Sequence, residues 1–435
     1  MLKQTDEEQV PLTPAQQKAA ETMVARWEAE DRRRQMADAR SEAWKSNLLS
    51  NKQGPRPILA NAIAALRYAP EWQDVLYYDE FSMVTMVRHA PPWEGGAIVD
   101  RKWMPKDDSL AADWLQRQDV VVPTAIAAEA VEVVARDAGV HPLRQYLEEC
   151  AVNWDGNSRA AEWLAFYLGA ARSPYTSAVG RAWMISAVAR IMEPGAKADS
   201  MLILEGRQGI GKSRAIKTLA DPWFSDELAD IGSKDASLQL SGNWIFELSE
   251  LGAMQKSEVT KLKAFLSCTQ DRFRPPYGRR VIEVPRQCVF VGTTNDTEYL
   301  KDPTGARRFW PVRVGGNLLL RDLEADRDQL WGEAVTLFRD GCTWWLNSPR
   351  TITAAQEEQD QRYVSDPWDD AMARFLEARN DTSVAEILGE ALHIEAGKRT
   401  QVDQNRVARF LAKGWLKYQH RNGDRREWRY RRADQ

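Results

Sequence analysis

The sequence has few cysteines, no long apolar run and no internal repeat, and each of these absences excludes a class of protein. Its four cysteines are far apart and form no C-x-x-C pair, so a disulfide framework or a structural zinc site is not expected. The start of the sequence shows no apolar signal segment, and no uncharged stretch approaches membrane-spanning length. We therefore expect a soluble, cytoplasmic protein with free thiols.

Length and charge predict a multidomain protein with an anionic partner. The 435 residues are too many for one compact core, so roughly two to four domains are expected. The net charge is −4, yet twelve basic residues stand against three acidic ones between Lys398 and Arg432. A basic region on an otherwise acidic protein favours a polyanion such as DNA, and a merely solvated tail is the alternative.

Residues 202–213 form the most informative pattern, an apolar run followed by G-x-x-x-x-G-K-S. This order is typical of a P-loop, in which a buried strand precedes a glycine-rich turn whose N–H groups surround phosphates and a helix follows. We predict that Lys212 reaches the β- and γ-phosphates and that the Ser213 hydroxyl ligates Mg²⁺. An accidental glycine-rich turn is the alternative. The predicted nucleotide-binding residues are Gly206, Gln208, Gly209, Ile210, Gly211, Lys212, Ser213 and Arg214.

Nucleotide hydrolysis also needs an acid near the metal, a group that positions water, and an arginine. Residues 244–247 predict a strand that ends in Glu247, with Glu250 three residues later. We favour Glu247 for Mg²⁺ and Glu250 for the general base, and the reverse assignment stays open. Asn295 follows a predicted strand and could hydrogen-bond the γ-phosphate or form a simple turn. Arg307 or Arg308 could reach a neighbouring subunit's site, and an internal salt bridge is the alternative.

Two arginine-rich regions predict contacts with nucleic acid. Residues 271–280 combine Arg272, Arg274, Arg279 and Arg280 with two aromatic rings in a predicted hairpin loop. In the second region, helices at 384–392 and 404–413 precede two alternating strands joined at an Asn-Gly turn, a pattern that predicts a winged helix. Protein docking is the alternative role for such a module. Its predicted DNA contacts are Arg406, Arg409, Lys413, Lys417, Arg421, Arg425, Arg426 and Arg429.

The periodicity of apolar residues predicts the domain order. A charged arm covers 1–55, and a helical module covers 56–150, with helices at 60–67, 110–118, 125–138 and 143–150 and a short strand at 76–78. The acids Asp107 and Asp108 are read as solvated loop acids rather than a metal pair. Strands at 201–204, 244–248, 288–293 and 309–314 alternate with helices, which predicts a parallel α/β ATPase domain over 151–350. The winged-helix domain covers 366–435.

Several segments together resemble the virulence-associated protein E family of phages and mobile elements, over roughly residues 140–345. The clearest are 153–156 (Asn-Trp-Asp-Gly), 206–213, 247–251 (Glu-Leu-Ser-Glu-Leu), 292–295 (Gly-Thr-Thr-Asn) and 304–310 (Thr-Gly-Ala-Arg-Arg-Phe-Trp). The resemblance implies an AAA+-like core of superfamily 3 helicases, with ATP and Mg²⁺ as cofactors and a ring, expected to be a hexamer, that encloses DNA. It also implies that Lys212, Ser213, Glu247, Glu250, Asn295 and one of Arg307 and Arg308 perform the ATP chemistry.

The expected function is therefore an ATP-dependent DNA helicase or replication initiator of a phage or mobile element in a bacterial host. The alternative is a DNA-binding switch on the same fold that ATP regulates without translocation, in transcription, host interaction or defence. Residues 1–140 show no acidic triad of a primase, so self-priming is not expected.

Overall fold

The computed structural model describes residues 43–95, 98–228, 231, 233–249, 251–274, 280–300, 306–363, 367–412, 414–422 and 425–433. Most of the predicted N-terminal arm, Glu250, Arg279 and Lys413 lie outside these residues, as do the side chains of Arg409 and Arg425. The chain is an α/β protein of three units with a five-stranded parallel sheet in the middle one. No helix in the described ranges is long and apolar enough to cross a membrane.

The first unit, residues 43–140, contains a four-stranded sheet, so the prediction of a helical module with one strand is wrong. The predicted helices and the strand at 76–78 are present, but a strand at 84–89 pairs with it, and a strand at 98–102 pairs in turn with that one. Those strands lack an apolar alternation, because the first is mostly half-buried and the second includes Asp100, Arg101 and Lys102. The sheet order is β5-β4-β3-β6. The elements are β1 (Ser50–Asn51), β2 (Gly54–Pro55), α1 (Leu59–Tyr68), β3 (Leu76–Asp79), β4 (Val84–His89), β5 (Ile98–Lys102), α2 (Pro105–Arg117), α3 (Thr124–Asp137) and β6 (Gly139–Val140).

Asp107 and Asp108 lie in the first turn of α2, so their assignment to a solvated loop is wrong. Asp107 is fully buried, accepts the Met104 N–H at 2.8 Å and pairs with Arg101 at 2.6 Å. Asp108 accepts the indole N–H of Trp103 at 2.8 Å. Both acids thus stabilise the start of a helix, where negative charge is favourable.

The second unit, residues 142–360, contains the predicted parallel sheet, and the four predicted strands match within one residue at each end. A short edge strand, β8, completes the order β13-β7-β12-β9-β8. The elements are α4 (Pro142–Val152), α5 (Trp163–Leu168), α6 (Pro174–Met192), β7 (Met201–Glu205), α7 (Lys212–Ala220), β8 (Phe224–Ser225), α8 (Lys234–Gln239), β9 (Ile245–Leu248), α9 (Lys256–Leu266), β10 (Gln270–Phe273), β11 (Ile282–Pro285), β12 (Val289–Thr294), β13 (Phe309–Arg313), α10 (Leu320–Arg339) and α11 (Pro349–Asp360).

Helices cover the sheet and bury its apolar strands. Trp183, Trp244 and Trp331 are fully buried in one cluster, and each indole N–H donates to a backbone carbonyl. Strands buried on both faces read as continuous apolar runs, which is why the sequence predicts them well. Since the strands are parallel, the residues that follow β7, β9 and β12 meet at one edge of the sheet.

The antiparallel pair β10–β11 is the predicted hairpin, and residues 275–279 at its tip lie outside the described ranges. At the base of this hairpin Asp271 pairs with Arg286. The two side chains are buried and joined by hydrogen bonds of 2.5 and 2.9 Å, and the Arg286 guanidinium lies 4.3 Å from the centre of the Phe265 ring. This pair fixes the base of the hairpin.

The third unit, residues 369–432, combines helices with a three-stranded antiparallel sheet of order β14-β16-β15. Both predicted helices and the long hairpin are present, and a helix and a strand precede them. The elements are α12 (Asp369–Glu377), β14 (Asp381–Ser383), α13 (Val384–Glu386) continued by a π-helical turn (Ile387–Ala391), α14 (Gln401–Leu411), β15 (Trp415–Asn422) and β16 (Arg425–Arg432). The core joins all of them, with Met372, Leu388, Val407 and Tyr430 buried together.

Candidate nucleotide site

The glycine-rich loop, residues 206–211, joins β7 to α7 in the strand–turn–helix order that the sequence predicts. Gly209 and Gly211 have φ angles of 79° and 101°, which favour glycine, and Gly211 is the N-cap of α7. A Cβ on Gly206 would lie 2.8 Å from the carbonyl oxygen of Val314. Three glycines are therefore required for this turn, which leaves the start of α7 open to an anion.

Lys212 is the first residue of α7, and its ammonium group lies inside the turn. Its Nζ donates to the carbonyl oxygens of Gly206 at 2.8 Å and Arg207 at 3.1 Å, and to Oδ1 of Asn295 at 3.0 Å. Burial lowers the pKa of Lys212, and the nearby Glu247 carboxylate opposes that shift. The lysine thus links the loop after β7 to the residue after β12.

Glu247, in β9, accepts hydrogen bonds from two hydroxyl groups. Ser213 donates to Oε1 at 2.6 Å and Thr293 donates to the same oxygen at 2.5 Å. The carboxylate is only 3% exposed, and Oε2 has no hydrogen-bond partner within the described part of the chain. A buried oxygen of this kind is costly unless a cation or donor completes it.

Lys212, Ser213 and Thr293 border one cleft of about 590 Å³, and Glu247 lies behind these residues, outside the lining. Of the predicted nucleotide-binding residues, Gly206 and Ile210 do not line it, although Ile210 packs against the neighbouring core. Asn295 and Asp296 bound the cleft from the end of β12, and Ser249 bounds it from the end of β9. The predicted residues that line it are Gln208, Gly209, Gly211, Lys212, Ser213, Arg214 and Asn295.

Arg307 and Arg308 do not join this cleft. They precede β13, whose first residue pairs with Met201 at the beginning of β7, whereas the glycine-rich loop follows the end of β7. The five residues of the strand separate the two positions by about 16 Å. Arg308 donates to the Ser267 hydroxyl at 2.9 Å and lies 3.7 Å from Asp199, while Arg307 is exposed and makes no ion pair among the described residues.

Sequence reasoning did not predict the contacts of three residues that support the site. Thr293 interrupts an apolar run just before Asn295, a signal that could have indicated a polar role. Arg362 gave no such signal: it forms a buried ion pair with Glu205 at 2.7 Å, directly before the loop, from 157 positions further along the chain. Tyr299 donates its hydroxyl to Glu205 at 2.6 Å as well. This network holds the end of β7.

The predicted nucleic-acid residues of the β10–β11 hairpin that the structure describes are exposed. The side chain of Arg272 is 74% exposed and lies 3.6 Å from Glu283, the residue opposite it on β11. Arg274 and Arg280 are exposed at the two ends of the segment that lies outside the description. The described part of this hairpin therefore carries three exposed cationic side chains.

In the third unit the predicted residues separate into two groups. Lys417, Arg421 and Arg426 are exposed on the β15–β16 hairpin, where Arg421 and Arg426 are directly opposite each other. Arg406 on α14 lies 3.8 Å from the centre of the Trp368 ring. Arg429 instead donates to Asp381 at 2.5 Å and to Glu386 at 2.8 Å, so its guanidinium is held inside the unit and is not available to DNA.

The comparisons with known proteins identify the family. A model of the virulence-associated protein E-like domain matches residues 147–364, and the chain belongs to this family. An apo structure of the NrS-1 C-terminal region is similar with a TM-score of 0.46 and 11% identity, over 82% of this chain and 96% of that one. An A-form apo structure of the same region gives a TM-score of 0.40 and 10% identity over the same shares. None of the curated proteins matches the sequence.

Proposed function

We propose that the protein is an ATP-driven DNA helicase or replication initiator of a phage or mobile genetic element. The observation that carries the proposal is the environment of Glu247. Its buried carboxylate shares one oxygen between Ser213 and Thr293, and the other has no partner among the residues that the structure describes, beside a glycine-rich loop with a buried lysine. Membership of the virulence-associated protein E-like family agrees with a role in the replication of such elements.

The side chains present fit a nucleotide with Mg²⁺. The Ser213 hydroxyl and Oε2 of Glu247, which has no partner in the described part of the chain, are oxygen ligands of the kind that Mg²⁺ takes. The Lys212 ammonium would exchange its backbone carbonyl contacts for phosphate oxygens, and Asn295 would then remain as the polar group nearest the terminal phosphate. The metal would neutralise charge that develops on the phosphates during cleavage. Glu250 stays our prediction for the general base.

The separation of the arginines from the cleft supports hydrolysis between subunits. Arg307 is exposed at the opposite end of the sheet from Lys212, so in one chain it is too far away to contact the phosphates. A head-to-tail assembly places the surface of one subunit against the opposite surface of the next, and such an assembly closes into a ring when the rotation between subunits divides a full turn. We assign the arginine finger to Arg307, because Arg308 already contacts Ser267 and Asp199.

The two cationic surfaces supply the proposed contacts with DNA. The third unit has the order helix, strand, helix, helix and hairpin, with α14 in the place of the helix that enters the major groove of a winged-helix complex. Lys417, Arg421 and Arg426 on its hairpin would contact phosphates. The β10–β11 hairpin, with Arg272 and Arg280, would contact the strand inside the ring.

The test is ATP hydrolysis and fork unwinding by the full chain with Lys212→Ala. Lys217→Ala is the matched control, because Lys217 is an exposed lysine on the same helix. We expect Lys212→Ala to abolish both activities and Lys217→Ala to retain them. Equal hydrolysis and unwinding by the native protein and Lys212→Ala would remove the loop from the mechanism. ATP-dependent assembly on duplex DNA without unwinding would instead establish the DNA-binding switch.

A further inference from the structure

A second cleft, of about 750 Å³, lies at the end of the parallel sheet opposite to the glycine-rich loop. It is bounded by the residues that precede β7 and β13, by the turn after α10, and by α11. None of its lining residues borders the cleft beside Lys212. Its volume is within the range of about 300–1,000 Å³ that is usual for small-molecule sites. The lining residues that matter here are Lys197, Asp199, Arg307, Arg308, Trp344 and Trp345.

The cleft presents an aromatic ring to solvent. Trp345 is 51% exposed, and of the tryptophans that the structure describes only Trp345 and Trp428 are exposed. Trp344 donates its indole N–H to the carbonyl oxygen of Lys197 at 2.8 Å, and its ring lies nearly perpendicular to that of Trp345 with centroids 5.2 Å apart. Trp344 is thereby fixed and supports Trp345, which keeps free ring surface for stacking.

The cleft also has an excess of positive charge. Lys197 and Arg307 are exposed, and Asp199 is the one acid among the described lining residues, where it is 3.7 Å from Arg308. Behind this wall, Arg190 is 1% exposed and donates Nη2 to the carbonyl oxygens of Ala198 and Cys268, while its Nε and Nη1 have no partner in the described ranges. Arg190 does not line the cleft, so the cations that a ligand in the cleft could contact are Lys197, Arg307 and Arg308.

We propose that this cleft binds a nucleotide unit of single-stranded DNA, with its base stacked on Trp345 and its phosphate beside Lys197. Stacking needs a free base face, which a paired strand offers only at its end, and sequence-independent single-strand sites combine aromatic rings with cations in this way. A free nucleoside monophosphate has the same chemistry and is the second source. The site requires no ATP, but its lining includes Arg307, which the proposed function assigns to a neighbouring subunit's nucleotide site, so the experiments use the protein without ATP.

The first experiment locates the contact. The full chain without ATP is irradiated with a short oligodeoxythymidylate that carries one 5-iododeoxyuridine, and the cross-linked peptide is mapped by mass spectrometry. We expect a cross-link within the peptide that contains Trp344 and Trp345. Thymidine monophosphate and an unlabelled oligonucleotide are then compared as competitors of this cross-link. If the monophosphate competes at lower concentrations than the oligonucleotide, the site is assigned to the free nucleotide. Cross-links found only elsewhere would overturn the proposal.

The second experiment measures the affinity of a fluorescent oligodeoxythymidylate by anisotropy. Trp345→Ala should weaken binding about five-fold or more, because one stacked base contributes on that order, and Lys197→Gln should weaken it less and lower the salt dependence. Tyr68→Ala is the matched control, since Tyr68 is an aromatic residue 54% exposed on α1. The affinity of Trp345→Ala for the oligonucleotide could instead stay within two-fold of the native value while the variant sediments as a smaller assembly. That result would show that Trp345 contacts another copy of the chain and would overturn the assignment. Lys212→Ala should bind like the native protein, which separates this result from a failure of the motor proposal.

Discussion

The Ser213 hydroxyl donates to Oε1 of Glu247 at 2.6 Å, although the two residues are 34 positions apart in the chain. Thr293 donates to the same oxygen, so both hydroxyl groups hydrogen-bond Oε1 of the carboxylate. The other oxygen is buried and has no partner among the described residues. An arrangement that leaves one carboxylate oxygen unpaired in the interior costs stability, and such costs concentrate at functional sites.

Glu247→Gln should separate the metal function of this carboxylate from its structural contacts. The amide oxygen still accepts from Ser213 and Thr293, but the buried negative charge is removed. We expect the Mg²⁺ concentration for half-maximal ATP hydrolysis to rise about 10- to 100-fold. The melting temperature of the protein without nucleotide should rise, because a buried carboxylate whose Oε2 has no hydrogen-bond partner among the described residues is replaced by a neutral amide. Both are measured on the full chain, by a Mg²⁺ titration of hydrolysis and by thermal unfolding.

Glu298→Gln is the control for this substitution, since Glu298 is an exposed carboxylate shortly after β12. It should change neither the Mg²⁺ requirement nor the melting temperature. If Glu247→Gln also leaves both quantities unchanged, the carboxylate does not bind the metal.

The sequence predicts this site well because its parts depend on local patterns and on one property of parallel sheets. Apolar runs of strands buried on both faces locate β7, β9 and β12, and residues that follow parallel strands meet at one edge. Which strand lies in the middle is not a local property, so the contact of Thr293 with Glu247 was not predicted. The Glu205–Arg362 pair joins positions 157 apart, and no pattern links them.

The other differences between the sequence predictions and the structure occur at polar or half-buried elements. β4 and β5 of the first unit lack an apolar alternation, so their sheet was not predicted. The sequence also does not distinguish paired arginines from exposed ones. Arg426 and Arg429 lie three positions apart in the same strand, and only the structure shows that Arg429 is paired with Asp381 and Glu386. Charge density in a sequence predicts a cationic surface but does not say which cations are already neutralised.

Mixing two inactive variants should test the assignment of Arg307 to a neighbouring subunit. Arg307→Ala and Lys212→Ala should each abolish hydrolysis alone. In a randomly mixed ring, about one interface in four would combine an intact glycine-rich loop with an intact Arg307. Hydrolysis should therefore recover to about a quarter of the native rate, as measured by phosphate release.

Arg308→Ala is the contrasting variant, because its guanidinium contacts Ser267 and Asp199 within the chain. It should lower the melting temperature and retain hydrolysis. No recovery in the mixture, in assemblies of native size, would show that Arg307 and Lys212 do not act at one interface.

Arg426→Gln and Arg429→Gln should have different effects on the third unit. Arg426 is exposed, so its loss should weaken duplex binding at all sequences and reduce the salt dependence of the affinity by about one unit of slope. Arg429 pairs with Asp381 and Glu386, so its loss should lower the melting temperature and leave the salt slope unchanged. Anisotropy with a duplex at several salt concentrations measures the slopes. Equal slopes for the native protein and Arg426→Gln would contradict a phosphate contact.

His141 should make the stability of the protein depend on pH below about 6.5. It is buried between the first and second units, where Nδ1 accepts the Arg144 N–H at 3.1 Å and Nε2 lies 2.7 Å from Oε1 of Gln287. Burial lowers the pKa of His141 below its ordinary value of 6.5, so the folded state favours the neutral ring. Its contribution to stability is complete above pH 6.5 and is lost as pH falls from there through the lower, folded-state pKa.

His141→Asn retains a cap for α4 without a titrating group. The melting temperature of this variant should therefore fall less between pH 7 and pH 5 than that of the native protein, whereas His420→Asn, at an exposed position, should follow the native curve. Parallel curves for all three proteins would exclude His141 as the titrating group.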